Sequence, residues 1–135
     1  MIEKPFELLQ PEGWARPIGY SNGIAATGRL VFVAGQIGWN PTTSTFETDD
    51  LAAQTAQALR NVAAVLHAAG AEPRHVVRMT WYITDKKAYL ESRREIGQAW
   101  REVMGKHFPA MAVVVVSELI EDRAKVEIEA TAVVP

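Results

Sequence analysis

The chain has 135 residues, 48% of them hydrophobic and 22% charged. This is a globular composition sized for a single domain over 1–135, with no room for a second core. A net charge of −2 argues against a surface built to hold nucleic acid, and the absence of cysteine excludes disulfides, thiolate nucleophiles and Cys-ligated metal sites.

The N-terminus, Met-Ile-Glu-Lys-Pro, lacks the charged-then-apolar pattern of a signal peptide, and no apolar run reaches membrane-spanning length. A cytoplasmic protein without membrane contact is expected. Residues 1–17 hold Pro5, Pro11 and Pro17 with little periodicity and read as an extended arm with at most a short edge strand. Gly19, Gly23 and Gly28 read as turns. The segment Gly28–Gln36, rich in β-branched and aromatic residues, is a strand, and Gly35 near its end signals a bulge or a close backbone approach. Gly38–Thr48 is a loop.

Asp49 or Asp50 caps a helix in which Leu51, Thr55, Ala58, Leu59, Val62, Leu66 and Ala69 recur at helical spacing. Gln54, Gln57, Arg60, Asn61 and His67 lie mostly off that stripe, and Gly70 ends the helix. Val76–Thr84 alternates as a strand, with Val77, Met79, Trp81 and Ile83 opposite Arg78, Thr80, Tyr82 and Thr84. Asp85 caps a second helix running to about Gly105, with Tyr89, Ile96, Trp100, Val103 and Met104 as its apolar stripe. Its cations Arg93, Arg94 and Arg101, with Lys106 beyond, read as a solvated face.

Phe108-Pro109 breaks the helix. The segment Ala110–Leu119, opening on the apolar run Ala110–Val116, reads as a strand buried on both faces. A turn through Glu121-Asp122-Arg123 leads to the last strand, Lys125–Val133, where Val126, Ile128, Ala130 and Ala132 alternate with Lys125, Glu127, Glu129 and Thr131. The order β-β-α-β-α-β-β makes an α+β fold whose two helices pack on one sheet face. The other face carries valines, from Val31/Val33 or from Ala112–Val116, and implies a homo-oligomer that buries them.

Nothing in the chain resembles a phosphate-binding glycine loop or a G-x-S-x-G elbow, and no cofactor is expected. His67, His75 and His107 are not at metal-ligand spacing, so no metal is expected either. Trp81 and Trp100 lie on apolar stripes and belong to the core, whereas Trp14 and Trp39 in loops are available to line a cleft or an interface. Glu127 and Glu129 share the polar face of the final strand. Glu127, expected to pair beside the Ala110–Leu119 strand near an oligomer seam, is placed to hold a water or take a proton from a bound amine.

The segments GYSNGI (19–24), VFVAGQIGWNP (31–41), AAG (68–70), Thr84-Asp85, FPA (108–110) and VEIEA (126–130) resemble the RidA family, also called YjgF, in order over nearly the whole chain. The resemblance implies a chorismate-mutase-like α+β fold, mostly antiparallel, assembled as a homotrimer with three small-molecule clefts between subunits. It also implies hydrolysis of 2-imino and enamine acids to keto acids and ammonia. In the best-studied branch an arginine after Phe-Pro-Ala grips the substrate carboxylate, and the first glutamate of the closing strand positions the attacking water. The glutamate matches Glu127 and a cleft tyrosine matches Tyr20. The arginine is replaced by Met111, which removes a charge-assisted, two-pronged hydrogen bond of about 1.5–3 kcal/mol.

Two readings stay open. In one, the protein is an enamine or imine deaminase (a hydrolase): Glu127 orients water, backbone groups near Gly35 and Met111–Ala112 bind the polar end, and Tyr20 and Trp39 wall the cleft. Arg93 either supplies the missing cation from another direction or is solvated. In the other, a non-catalytic trimer holds a small metabolite or a partner in methionine-lined clefts. A third label in the family, RNA cleavage, sits poorly with the acidic charge balance and the lack of a catalytic histidine pair.

Overall fold

The structure, a computed structural model, describes residues 6–135; the first five residues of the expected N-terminal arm lie outside the described residues. Strand β1 (Phe6–Leu9) pairs antiparallel with β2 (Gly23–Ala26), so Gly23, expected in a turn, opens the second strand of a two-stranded ribbon. A parallel bridge from Ser21 to Ala110 joins this ribbon to the main sheet.

The main sheet contains β3 (Arg29–Ile37), β4 (Val76–Ile83), β5 (Ala110–Val115) and β6 (Val126–Val134) in the order β3-β6-β4-β5. β6 runs antiparallel to both its neighbours, and β5 lies parallel to β4. The two closing strands are therefore not hairpin partners, because β4 separates them. The central place goes to the strand whose inward residues Val126, Ile128, Ala130 and Ala132 are all buried. β5 is an edge strand, shorter than expected, and leaves Val114 and Val115 exposed at 40% and 53%. Its run of valines suits an extended edge and does not signify burial on both faces.

Helix α1 (Leu51–Ala68) begins where the Asp50 carboxylate accepts the Ala53 N–H at 2.9 Å, and the chain leaves it through Gly70 at φ +73°. The expected second helix is two: α2 (Lys86–Glu91), capped by Asp85, and α3 (Arg93–Met104). The break at Ser92 turns α3 so that Ile96, Ala99, Trp100 and Met104 are buried, whereas α2 buries no residue fully. The Trp100 ring lies 6.0 Å from both Trp81 and Phe108, so both core tryptophans sit where their stripes put them. The helices pack on one sheet face, as expected. Val31 and Val33 lie under them in the core; it is Leu30 and Phe32, 57% and 71% exposed, that occupy the open face.

Two polar residues placed off the helical stripe are also buried. Gln54 Nε2 donates to the carbonyls of Thr48 (2.9 Å) and Arg123 (3.0 Å), and its Oε1 accepts the Lys125 N–H (2.8 Å). Asn61 Nδ2 donates to the carbonyls of Ile37 (3.1 Å) and Trp39 (3.0 Å). Such close approach needs a bare backbone at Gly38, where a Cβ would sit 2.5 Å from the Gln54 Cβ. Gln54→Leu strands three backbone groups, so the expected cost is about 2–4 kcal/mol, read as a lowered urea midpoint.

Two histidines make stability depend on pH. The buried His75 accepts the Glu72 N–H on Nδ1 at 2.9 Å, and burial followed by the Arg74 charge holds its pKa below the ordinary 6.5. His107 Nε2 meets the Val76 carbonyl at 2.6 Å, and burial again lowers its pKa despite that bond. The unfolded chain takes up protons near pH 6.5 while the folded histidines resist until lower pH. Stability present at pH 7 is thus lost as the pH falls through and below 6.5. The urea midpoint is expected to drop across this window, with a shallower slope in His107→Gln.

Candidate functional site

Val126 and Ile128 point into the core with no exposed surface, so strand alternation sends Glu127 and Glu129 to the open face. Glu127 is half-buried and stands between Tyr82 of β4 and Ile37 of β3. β3 reaches it through a bulge. The register steps from Val33 opposite Ala130 to Gln36 opposite Ile128, which sets Ala34 and Gly35 together against Glu129.

The extra residue reverses which face each side chain takes. Before the bulge Val31 and Val33 face the helices; after it Gly38 meets Gln54 of α1, and Ile37 stands in register with Glu127. Gly35 is turned towards Glu127, whose side chain lies across it. A Cβ on Gly35 would fall 2.7 Å from the Glu127 Cδ and 2.9 Å from its Oε2. The expected bulge and the expected close approach are therefore one feature, and what approaches is the candidate catalytic carboxylate.

Tyr82 Oη donates to Glu129 Oε1 at 2.8 Å. That bond, then burial and the charges of Glu129 and Glu127, raise the phenol pKa above 10, so the hydroxyl stays a donor. Glu129 is thereby engaged, and the Tyr82 proton is not given to Glu127. Tyr82, Arg78 and Thr80 were not singled out from the sequence, although the alternation of β4 had already put them on one face. A hollow of about 420 Å³ runs along this face past Phe32, Ala34, Arg78, Thr80, Glu129 and Thr131.

The remaining candidates gather elsewhere. Tyr20 is 42% exposed beside the start of β5, held there by the Ser21 N–H on the Pro109 carbonyl (3.0 Å) and the Ser21 hydroxyl on that of Phe108. Met111 stands in register with Met79 and packs against the core from the helix side, whereas Ala112 pairs with Thr80 and faces the open side. Met111 and Glu127 of one chain therefore lie on opposite faces of the sheet. Trp39 follows β3, its ring 5.8 Å from Phe46. Arg93 opens α3, in the helical layer across the sheet from Glu127, with its Nε donating to the Leu90 carbonyl at 3.2 Å. One chain thus brings Gly35 and Glu127 together and collects Tyr20, Met111 and Ala112 at β5, while Arg93 lies in the helical layer, across the sheet from Glu127. Among the described residues no cluster of three or more His, Cys, Asp or Glu side chains is arranged to hold a metal ion.

Comparison with known proteins places this arrangement. The profile of the family described as Endoribonuclease L-PSP matches residues 15–134. A RutC family protein of Pyrococcus horikoshii is 36% identical over 127 residues, 93% of this chain and 96% of its own. A 2-iminobutanoate/2-iminopropanoate deaminase of the mite Dermatophagoides farinae is 32% identical over 88% of this chain and 89% of its own. The crystal structure of a Rid-family protein of unknown function from Yersinia pestis superposes with a TM-score of 0.84 at 32% identity, covering 96% of this chain and 99% of that one. By profile, sequence and fold alike, the chain belongs to the RidA/YjgF family.

Proposed function

We propose that the protein hydrolyses a small enamine or imine to a carbonyl compound and ammonia, in clefts formed between copies of itself. One observation carries this reading: Glu127 lies across the bulge at Gly35 while its neighbour Glu129 takes the Tyr82 hydroxyl. A half-buried carboxylate not bound to that donor suits a general base. Glu127 holds a water against the electrophilic carbon of a protonated imine and takes a proton as the C–O bond forms. That proton goes on to nitrogen, and Glu127 takes the remaining hydroxyl proton as the C–N bond breaks, so that the carbonyl product forms and ammonia leaves; an enamine enters the same path once its β-carbon has taken a proton from water. The deaminase named among the relatives supports the reaction class.

The division of candidates into a Glu127–Gly35 group and a Tyr20–Met111–Ala112 group supports a cleft completed by a neighbouring copy. The exposed Leu30 and Phe32 are apolar surface for such an assembly, and the family resemblance supports a homotrimer. Within that cleft Met111 offers no donor. A 2-imino acid would lose about 1.5–3 kcal/mol of charge-assisted binding, or roughly 10- to 100-fold. The favoured substrate therefore lacks a carboxylate beside the reacting carbon. RNA cleavage fits less well, because His75 Nδ1 and His107 Nε2 are each engaged by backbone and burial lowers the pKa of both rings.

Ammonia release is to be measured with enamines that lack a carboxylate on the reacting carbon (3-aminocrotonamide type), with 2-aminoacrylate as the carboxylate-bearing comparison. Glu127→Ala is expected to lower kcat by roughly 100-fold or more with an unchanged unfolding midpoint, and Gly35→Val to lower it by displacing the carboxylate. Equal rates for wild type and Glu127→Ala would leave the non-catalytic binding trimer, whose support is the apolar start of β5 at Met111 and Ala112. Met111→Arg is expected to raise 2-imino acid turnover roughly 10- to 100-fold; no gain would mean that the cleft differs from the arginine-bearing branch at more than this residue.

A further inference from the structure

Beside the N-terminal ribbon lies a hollow of about 650 Å³, within the range of small-ligand sites. Trp14, Tyr20 and Phe108 line it and remain 62%, 42% and 38% exposed, an unusual amount of aromatic surface to leave in water. Arg16 and Lys106 also line it, and neither forms an ion pair among the described residues. No aspartate or glutamate is among the lining residues, although acids outnumber bases in the chain by 16 to 14. Glu7 and Glu12 belong to the same segment but do not line the hollow.

The walls are fixed before any ligand arrives. Gln10 Nε2 donates to the carbonyls of Trp14 (3.3 Å) and Ala15 (3.2 Å), and its Oε1 takes the Asn22 amide at 2.8 Å. Ser21 ties the ribbon to the backbone of Phe108 and Pro109. His107, on the opposite wall, has its Nε2 on the Val76 carbonyl and its ring 5.1 Å from Phe6, and burial lowers its pKa. Of the candidate cleft residues, only Tyr20 lines this hollow.

We propose that this hollow is a separate binding site for a small planar organic anion of the aromatic carboxylate class. The ring lies against Trp14 and Phe108, and the carboxylate is held by Arg16 and Lys106. Stacking and cation–π contact favour the flat ring, and two cations without a competing acid select negative charge. A neutral isostere keeps the first contribution and loses the second, which makes charge the discriminating variable.

The test is calorimetric titration of the full chain with indole-3-acetate and with its neutral isostere indole-3-acetamide. Indole-3-acetate is expected to bind at least ~10-fold more tightly, with the difference shrinking as salt is added. Arg16→Ala/Lys106→Ala, at two exposed positions, is expected to keep the wild-type unfolding midpoint and to abolish the preference. Trp14→Ala is expected to weaken both probes alike. Equal affinities, a preference that survives the double substitution, or no binding of either probe at millimolar concentration would each overturn the proposal. Loss of indole-3-acetate binding in Glu127→Ala would overturn it too, by placing the probe in the cleft.

Discussion

Backbone groups from two distant parts of the chain converge on one buried side-chain amide. Gln54, on α1, joins the carbonyl of Thr48 in the preceding loop to the carbonyl of Arg123 and the N–H of Lys125 at the threshold of β6. Asn61, two turns further on, holds the carbonyls of Ile37 and Trp39 at the end of β3. Buried amides of this kind stabilise only when their partners are all present. α1 is therefore more than a cover for the sheet. It sets where β6 enters and where β3 leaves, and Glu127 lies between those two constraints, two residues beyond Lys125.

Two glutamates on one strand face acquire different capacities from this frame. Both project from β6 towards the same side, and neighbouring residues tell them apart. Glu129 is opposite the bulge and takes the Tyr82 hydroxyl, while Glu127 lies over a glycine with its carboxylate outside that bond. The β5 end of the candidate cleft is built differently, from an apolar residue packed into the core and a tyrosine held beside the strand. Glu127 and Met111 of a single chain thus lie on different faces of its sheet.

The legible parts of the sequence were those governed by local physics. Asp50, Asp85 and Gly70 mark helix ends because capping is settled within a few residues, and the alternation of β4 and β6 reports correctly which side chains share a face. Alternation does not report neighbours, so β5 and β6 were paired although β4 lies between them. In β3 both alternating sets are apolar, Leu30 and Phe32 against Val31 and Val33, and only the position of the helices decides which set is buried. Gln54 and Asn61 look like solvent-facing polar residues because their partners are carbonyls and N–H groups, which every residue carries. The same limit applied at the site. Glu127, Gly35 and the exchange at Met111 were visible through the family motifs, but the Tyr82–Glu129 bond is a contact across 47 residues of sequence that no local pattern encodes.

The bulge at Ala34–Gly35 gives β3 two identities within nine residues. Up to Val33 its inward side chains are answerable to the hydrophobic core, and from Gly35 onward its side chains adjoin the carboxylate and the helix that positions it. The pleat changes phase at this point, so the strand can drift in hydrophobic volume at one end without disturbing the chemistry at the other. Loss of a single residue there would merge the two halves into one regular strand and exchange inside for outside over everything that follows.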